Sequence, residues 1–186
     1  MILDTTFKRE DYSESFFTHK EFENCTFENC NFNDADLSNS SFNECTFVDC
    51  NLTKVRLKNT TFNDVRFIDC KMIGVAFGEM NFFLVSLYFE NTNLEFSNFN
   101  NSDLKATNFK DCKLTDVDFS DADFSQGLFE NCDLKNAIFD HTDLTKANFA
   151  TAYNFSIDPE VNQLMGATFS KDNLAGLLKK YKLAIH

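Results

Sequence analysis

A chain of 186 residues with 29 acidic and 17 basic side chains has a formal net charge of −12, which excludes the basic footprint that nucleic-acid and anionic-membrane binders depend on. No stretch approaches the ~18 apolar residues of a membrane-spanning helix. Phenylalanine occurs 24 times, while glycine and proline number only five and one, so the turns of this chain must be made by Asn, Asp, Ser and Thr.

The chain opens Met1-Ile2-Leu3-Asp4 and runs into charged residues, without the basic-then-apolar layout of a secretory leader. A cytoplasmic location is the expectation. From Phe17 an apolar residue then falls at every fifth position, through Phe22, Phe27, Phe32, Leu37 and so on to Leu87, with Phe7 and Tyr12 in phase before it. After a slip of two residues the ruler resumes at Phe89 and continues to Phe149. Neither a helix nor a strand has a period of five, so the chain is an internal repeat and is read as one.

Two residues before each apolar centre stands a small or compact residue: Cys25, Cys30, Ala35 and Ser40 in one stretch, Cys112, Val117, Ala122 and Gly127 in another. On an extended segment side chains alternate, so both residues of such a pair face the same way and the remaining residues turn the chain. The cysteines give the number of sides. Cys30, Cys50 and Cys70 are twenty apart, as are Cys25 and Cys45, and Cys112 and Cys132; with the slip counted, Thr92 fills the gap between Cys70 and Cys112. Twenty residues are four repeats, which predicts a square coil with its thiols stacked in columns. Seven cysteines, an odd number all in one inward slot, read as reduced space-filling thiols rather than a disulfide framework.

Segments such as Ala35-Asp36-Leu37-Ser38-Asn39 and Ala122-Asp123-Phe124-Ser125-Gln126 resemble the A-(D/N)-(L/F)-x-x unit of pentapeptide repeat proteins, over roughly residues 17 to 154. The resemblance implies an all-β fold, a right-handed quadrilateral β-helix with about seven coils. At the ~4.8 Å strand spacing the rod would be roughly 34 Å long. Residues 1–154 are expected to form this β-helix, with a register break near 80–91, and residues 155–186 an irregular segment with a capping helix and a dimer contact.

Two discontinuities interrupt the rod. Met80 to Phe89 shifts the phase and is apolar on both faces, which reads either as a bulge repacked beside the rod or as an exposed patch that grips a partner. From Phe155 the segment Ile157-Asp158-Pro159-Glu160 ends the regular turns, although Leu164 and Phe169 stay in phase. Beyond Phe169 the spacing predicts a helix over 171–181, with Ser170 as N-cap and Lys179, Lys180 and Lys182 favourably placed at its end. Leu174, Leu177, Leu178, Tyr181, Leu183 and Ile185 are its candidate cap and dimer residues. A solenoid needs its open end covered, and resemblance to gyrase-directed members implies a homodimer formed end to end.

Catalysis finds no support in these residues. His19, His141 and His186 are far apart in sequence, and no P-loop or dinucleotide fingerprint is present. Cys25-x4-Cys30 and Cys45-x4-Cys50 would need four sulfurs converging on one point to hold zinc, whereas stacking places them in parallel columns. No enzyme activity, metal or cofactor is expected. The surface is what remains, and Asp103, Asp123 and Asp143, twenty apart, should stack on one face with Asp118 and Asp121 on the neighbouring wall or corner. Spread over the rod, the net charge amounts to one negative charge per ~3 Å, against one per ~1.7 Å of duplex DNA.

Cys70-Lys71-Met72-Ile73-Gly74-Val75-Ala76-Phe77, Asn91-Thr92-Asn93-Leu94 and Ile157-Asp158-Pro159-Glu160-Val161-Asn162 resemble the quinolone-resistance (Qnr) type and the microcin-immunity proteins. That resemblance implies a DNA mimic that binds DNA gyrase or topoisomerase IV and protects it from quinolones or peptide poisons. The uninterrupted ruler leaves no room for the long loops of plasmid-borne Qnr proteins. A non-enzymatic interaction or scaffold module for an unrelated partner stays open beside it.

Overall fold

The computed structural model describes residues 1–184; Ile185, expected at the cap or dimer contact, lies outside the described residues. The five-residue unit turns because the residue two past each apolar centre adopts a positive φ: Asn24 at 50°, Asn29 at 54°, Asp34 at 56° and Asn39 at 59°. Asn and Asp tolerate this region because their short polar side chains bond locally. The repeat is strict enough to impose the same corner on Arg9, Lys54, Phe96 and Ala106. A second device sits one residue before the centre, where an Asn or Asp side chain accepts the amide two residues on, as Asn31 does from Asn33 at 3.2 Å and Asp36 from Ser38 at 3.0 Å.

Between corners the chain is extended and pairs with the coil above. Strands β1 (Ile2–Leu3), β3 (Glu21–Glu23), β5 (Ser41–Asn43) and β7 (Thr61–Asn63) stack in that order as the first wall. The second wall has seven strands: β2 (Thr6–Lys8), β4 (Thr26–Glu28), β6 (Thr46–Val48), β8 (Val65–Ile68), β9 (Leu87–Glu90), β10 (Asn108–Lys110) and β11 (Leu128–Glu130). Every pairing is parallel, with partners twenty residues apart, as in Phe27↔Phe47, except across the break, where Phe67 meets Phe89. The third and fourth walls are ladders of single bridges, such as Asn31↔Asn51 and Asp36↔Arg56. Bridges Leu128↔Asn148 and Asn148↔Thr168 carry the second wall beyond its strands. The expected pentapeptide-repeat β-solenoid is therefore the fold.

Inside, the ruler residues form continuous columns. Phe27 and Phe47 stack at 4.7 Å and 12°, Phe77 and Phe99 at 4.3 Å and 5°, Phe129 and Phe149 at 4.5 Å and 9°. Each fully buried ring contributes about 1.5–3 kcal/mol of hydrophobic stabilisation, and stacking along a column adds to it. The small slot also satisfies the backbone: Thr60 donates to the Leu37 carbonyl at 2.8 Å, Ser97 to Met72 at 2.8 Å and Cys50 to Phe27 at 3.2 Å. All seven cysteines are buried and free. The Cys70 amide meets the Thr92 hydroxyl at 3.3 Å, so the column crosses the slip in the register expected.

The slip itself is a bulge in the first wall. Met80 and Leu87 are buried, Phe82 and Val85 pack against the core, and Phe83 and Leu84 stand out, 71% and 66% exposed. Phe82 and Val85 follow the bulge reading, and Phe83 and Leu84 form an exposed apolar pair beside it. A short 3-10 turn, Phe77–Glu79, precedes the bulge, and Gly78 lets it pass the next coil: a Cβ there would lie 2.4 Å from the Asn100 carbonyl oxygen. The Met80 amide takes the Phe77 carbonyl at 3.0 Å, and the buried Ser102 hydroxyl in the coil above is left without a partner.

The C-terminal end departs from expectation. The helix over 171–181 is wound as 3-10 turns, Lys171–Leu177 and Lys179–Tyr181, and Ser170 makes no side-chain cap bond. Asn173 draws the segment onto the rod instead, its amide donating to the carbonyls of Phe149 at 2.9 Å and Ala152 at 3.0 Å. Gly176 is buried against Phe155 and accepts the Ile157 amide at 3.1 Å. Of the expected apolar set only Leu177 packs on the core; Leu174, Leu178, Tyr181 and Leu183 are exposed. The lysines do not act on a helix dipole: Lys180 binds Asp158 at 2.7 Å and Glu160 at 2.6 Å, and Lys179 binds the Asn154 carbonyl at 3.1 Å.

Candidate functional site

Several charges on the outer walls are paired from coil to coil. On the second wall Lys8 meets Glu28 at 2.8 Å and Lys110 meets Glu90 at 2.7 Å; on the third, Lys113 meets Glu95 at 2.8 Å; on the fourth, Arg56 meets Asp36 at 3.4 Å. The hydrogen bonds from Lys110 and Tyr88 hold the Glu90 carboxyl below its ordinary range. Such exposed pairs add little stability each, but they neutralise the face that carries them.

The upper half of the first wall is different. Asp103 pairs in register with Asp123, and Asp123 with Asp143, so three carboxylates follow one another at about the ~4.8 Å strand spacing. Asp118 lies in the fourth-wall ladder, between Asn98 and Ile138. Asp121 occupies the corner between these walls, with φ of 55°. Among the described residues none of the five makes an ion pair. The structure thus brings the five together as one acidic strip that turns a corner. Its turn chemistry is local: Asp123 accepts the Ser125 amide at 2.8 Å, Asp143 that of Thr145 at 2.9 Å, and Asp118 both the amide and hydroxyl of Ser120 at 2.9 and 2.6 Å. Each carboxylate so engaged keeps its other oxygen for solvent or a partner.

Two neighbours escaped sequence reasoning. Asp140, whose carbonyl accepts the Asp121 amide at 2.9 Å, extends the strip upward and holds His141 at 3.0 Å; the twenty-residue registry from Ser120 would have found it. Lys105 shares the outer face of the first wall with Asp103, on the other side of buried Leu104, and places one cation at the lower end of the strip. Below it projects the Phe83–Leu84 bulge.

The thiols point inward, and burial pushes Cys45 up to about 11 and raises Cys70 as well, so these two hold little nucleophilic thiolate at neutral pH. At the C-terminal end Tyr153, Asn154, Phe155, Asp172, Asn173 and Lys179 are among the residues that line a shallow depression of about 260 Å³. Among the described residues no helix is long and apolar enough to cross a membrane.

Comparison with known proteins agrees with the repeat fold. The family model described as "Pentapeptide repeat region" matches residues 20–99 and 86–153. No curated relative matches the chain. Among solved structures, full-length QnrB1, a plasmid-mediated fluoroquinolone resistance protein, is similar at 21% identity over 97% of this chain and 99% of that one, with a TM-score of 0.57. HetL, a pentapeptide repeat protein involved in heterocyst differentiation regulation in Nostoc sp. strain PCC 7120, is similar at 15% identity over 88% of each chain, with a TM-score of 0.42.

Proposed function

The chain belongs to the pentapeptide repeat family, and from that premise we propose that it is a DNA-mimicking binding protein, not an enzyme, whose acidic strip docks on the DNA-binding saddle of a type II topoisomerase. The observation that carries this reading is the unpaired column Asp103–Asp123–Asp143, flanked by Asp118 and Asp121. A rigid rod that repeats negative charge along its axis offers a basic protein groove what a DNA strand offers, with the ordering of those charges already done by folding. The likeness of the fold to QnrB1 directs the choice of DNA gyrase or topoisomerase IV as partner, and of protection from quinolones or peptide poisons as the outcome. Such a partner places the protein in the cytoplasm. The outward-facing Leu174, Leu178, Tyr181 and Leu183 at the C-terminal end supply the apolar contact of a two-fold homodimer.

A supercoiling assay with purified gyrase, with and without a poison, tests the reading directly. Wild-type protein is expected to bind gyrase at low salt and to relieve poisoning. The variant D103N/D123N/D143N should bind more weakly: three exposed charges at roughly 0.5–1 kcal/mol each amount to about a ten- to hundred-fold loss. Equal binding by the variant excludes this strip as the docking surface. A scaffold role for an unrelated partner is the second reading, favoured by the exposed Phe83 and Leu84, which an electrostatic mimic does not need; no gyrase binding by wild type at low salt selects it.

A further inference from the structure

The first coil breaks the rule that every later coil keeps. Its four inward slots hold Thr5, Glu10, Ser15 and Lys20, where the coil above holds Cys25, Cys30, Ala35 and Ser40. No later slot of the ruler carries a charge. Glu10 precedes Tyr12 on the third wall and Lys20 precedes Phe22 on the first, so the two charges sit on opposite sides of the coil. Both are exposed. Burial, and then the Glu10 charge, pushes up Tyr12, and the Lys20 amide donates to the Ser40 hydroxyl at 3.0 Å, the slot-to-slot contact that the Cys30 amide makes with Cys50.

Among the described residues this coil is also an end of the stack. Strands β1 and β2 end their sheets, with neighbours on one side only. The amides of Asp11 and Phe16 occupy the edge positions at which, one coil higher, Asn31 and Asp36 donate to the carbonyls of Glu10 and Ser15, each at 2.9 Å. Ile2, Phe7, Tyr12 and Phe17 are only partly buried. Phe7 stacks on Phe27 at 4.8 Å and 8°, and its other face has no ring upon it. Exposed Met1, Leu3 and Phe16 add to this end. Partly covered apolar rings within a ring of unpaired backbone groups are a template for a further β edge.

We infer that Glu10 and Lys20 are end-stops: charges set in inward slots that keep this open edge from stacking on the same edge of a second copy of the chain. Adding a coil would press each slot against the facing slot, and a carboxylate and an ammonium would lose their water there. Even in a two-fold stack that lays the first wall on the third, where Glu10 would meet Lys20 of the second copy, the contact must repay the dehydration of both ions. The edge is thereby left to water, and association is confined to the other faces of the rod.

The test is to give the first coil the slots of the others. E10A/K20S, with small residues as in every later coil, is expected to double its mass in light scattering as concentration rises, with the amides of Asp11 and Phe16 gaining protection from hydrogen exchange. The milder E10Q/K20Q, which keeps both side-chain sizes, should move in the same direction. Two further variants should keep the wild-type mass: the charge-swapped E10K/K20E, which still blocks the edge, and E14A/K58S, which makes the same change in net charge away from the inward slots. The inference is overturned if E10A/K20S and E10Q/K20Q melt as folded proteins yet keep the wild-type mass throughout, or if E14A/K58S associates equally. It is overturned too if E10K alone dissociates an assembly that E10K/K20E restores, since the charges would then be joining copies.

Discussion

At the residue scale, two positions of each repeat make the turn and two make the core, and their tolerances differ. Asp and Asn alternate freely before the apolar centre because either supplies the oxygen that accepts the amide two residues on: Asn51 does so for Thr53 at 3.2 Å and Asp123 for Ser125 at 2.8 Å. Changing Asp103, Asp123 and Asp143 to Asn should therefore leave the circular dichroism and the melting temperature close to wild type. The core position has no such latitude. Phe119 is fully buried between Phe99 at 5.3 Å and Phe139 at 4.9 Å. Phe119→Asp should cost about 3–5 kcal/mol, from the lost ring and the unpaired charge, and a thermal melt unchanged by it would show the inward assignment to be wrong. Gly78→Ala meets backbone rather than a movable side chain, since its Cβ would lie 2.4 Å from the Asn100 oxygen. Overpacking of this kind costs about 1–3 kcal/mol, read as a lower denaturant midpoint.

At the scale of elements, the two departures from the ruler do different work. The bulge at 81–86 absorbs two extra residues in the first wall and lets the second wall continue, because β8 still pairs with β9 in register. The C-terminal segment covers the last coil and is pinned by Lys180 to Asp158 and Glu160. Hydrogen bonds from Lys180 lower both carboxyls from their ordinary 3.8 and 4.5. A depressed carboxyl contributes stability above its unfolded pKa and loses it as pH falls through the folded one. Acid should therefore loosen this cap before the rod: below about pH 4 the Ile157 amide, bonded to Gly176, should exchange faster while the amides of β4 and β6 stay protected. Deleting residues 170–186 should expose an open edge, unguarded by charged slots, and promote aggregation; a soluble protein of unaltered oligomeric state after the deletion would deny the segment both its cap and its dimer role.

At the scale of the whole molecule, each coil meets only its neighbours, so stability accumulates coil by coil and the outer surface is free to vary. The paired charges of the second and third walls and the unpaired strip on the first belong to one regular backbone. Binding through that strip must weaken steeply with ionic strength, because screening shortens the reach of every charge. Competition between this protein and duplex DNA for gyrase, measured over a salt series, should show affinity falling as salt rises for wild type and falling less for D103N/D123N/D143N. A salt-independent affinity would assign the contact to apolar groups such as Phe83 and Leu84 instead.

The sequence alone determined the repeat, the square coil, the inward thiols and the stacking of Asp103 on Asp123 and Asp143. All of these follow from a period of five and a registry of twenty, and a strict period repeats one set of φ and ψ values along the chain. It could not determine what happens where the period lapses. That Phe83 and Leu84 stand out while Phe82 turns in, that Ser170 caps nothing, and that Asn173 and Gly176 rather than Leu174 and Leu178 meet the last coil were decided by tertiary packing. Each of these outcomes depends on which carbonyl or ring of a distant coil is left uncovered. The carbonyls of Phe149 and Ala152 choose an amide side chain more than twenty residues away, and no local pattern encodes that choice. The same holds for charge: spacing shows that carboxylates share a wall, but only the folded neighbours show which of them have found a lysine.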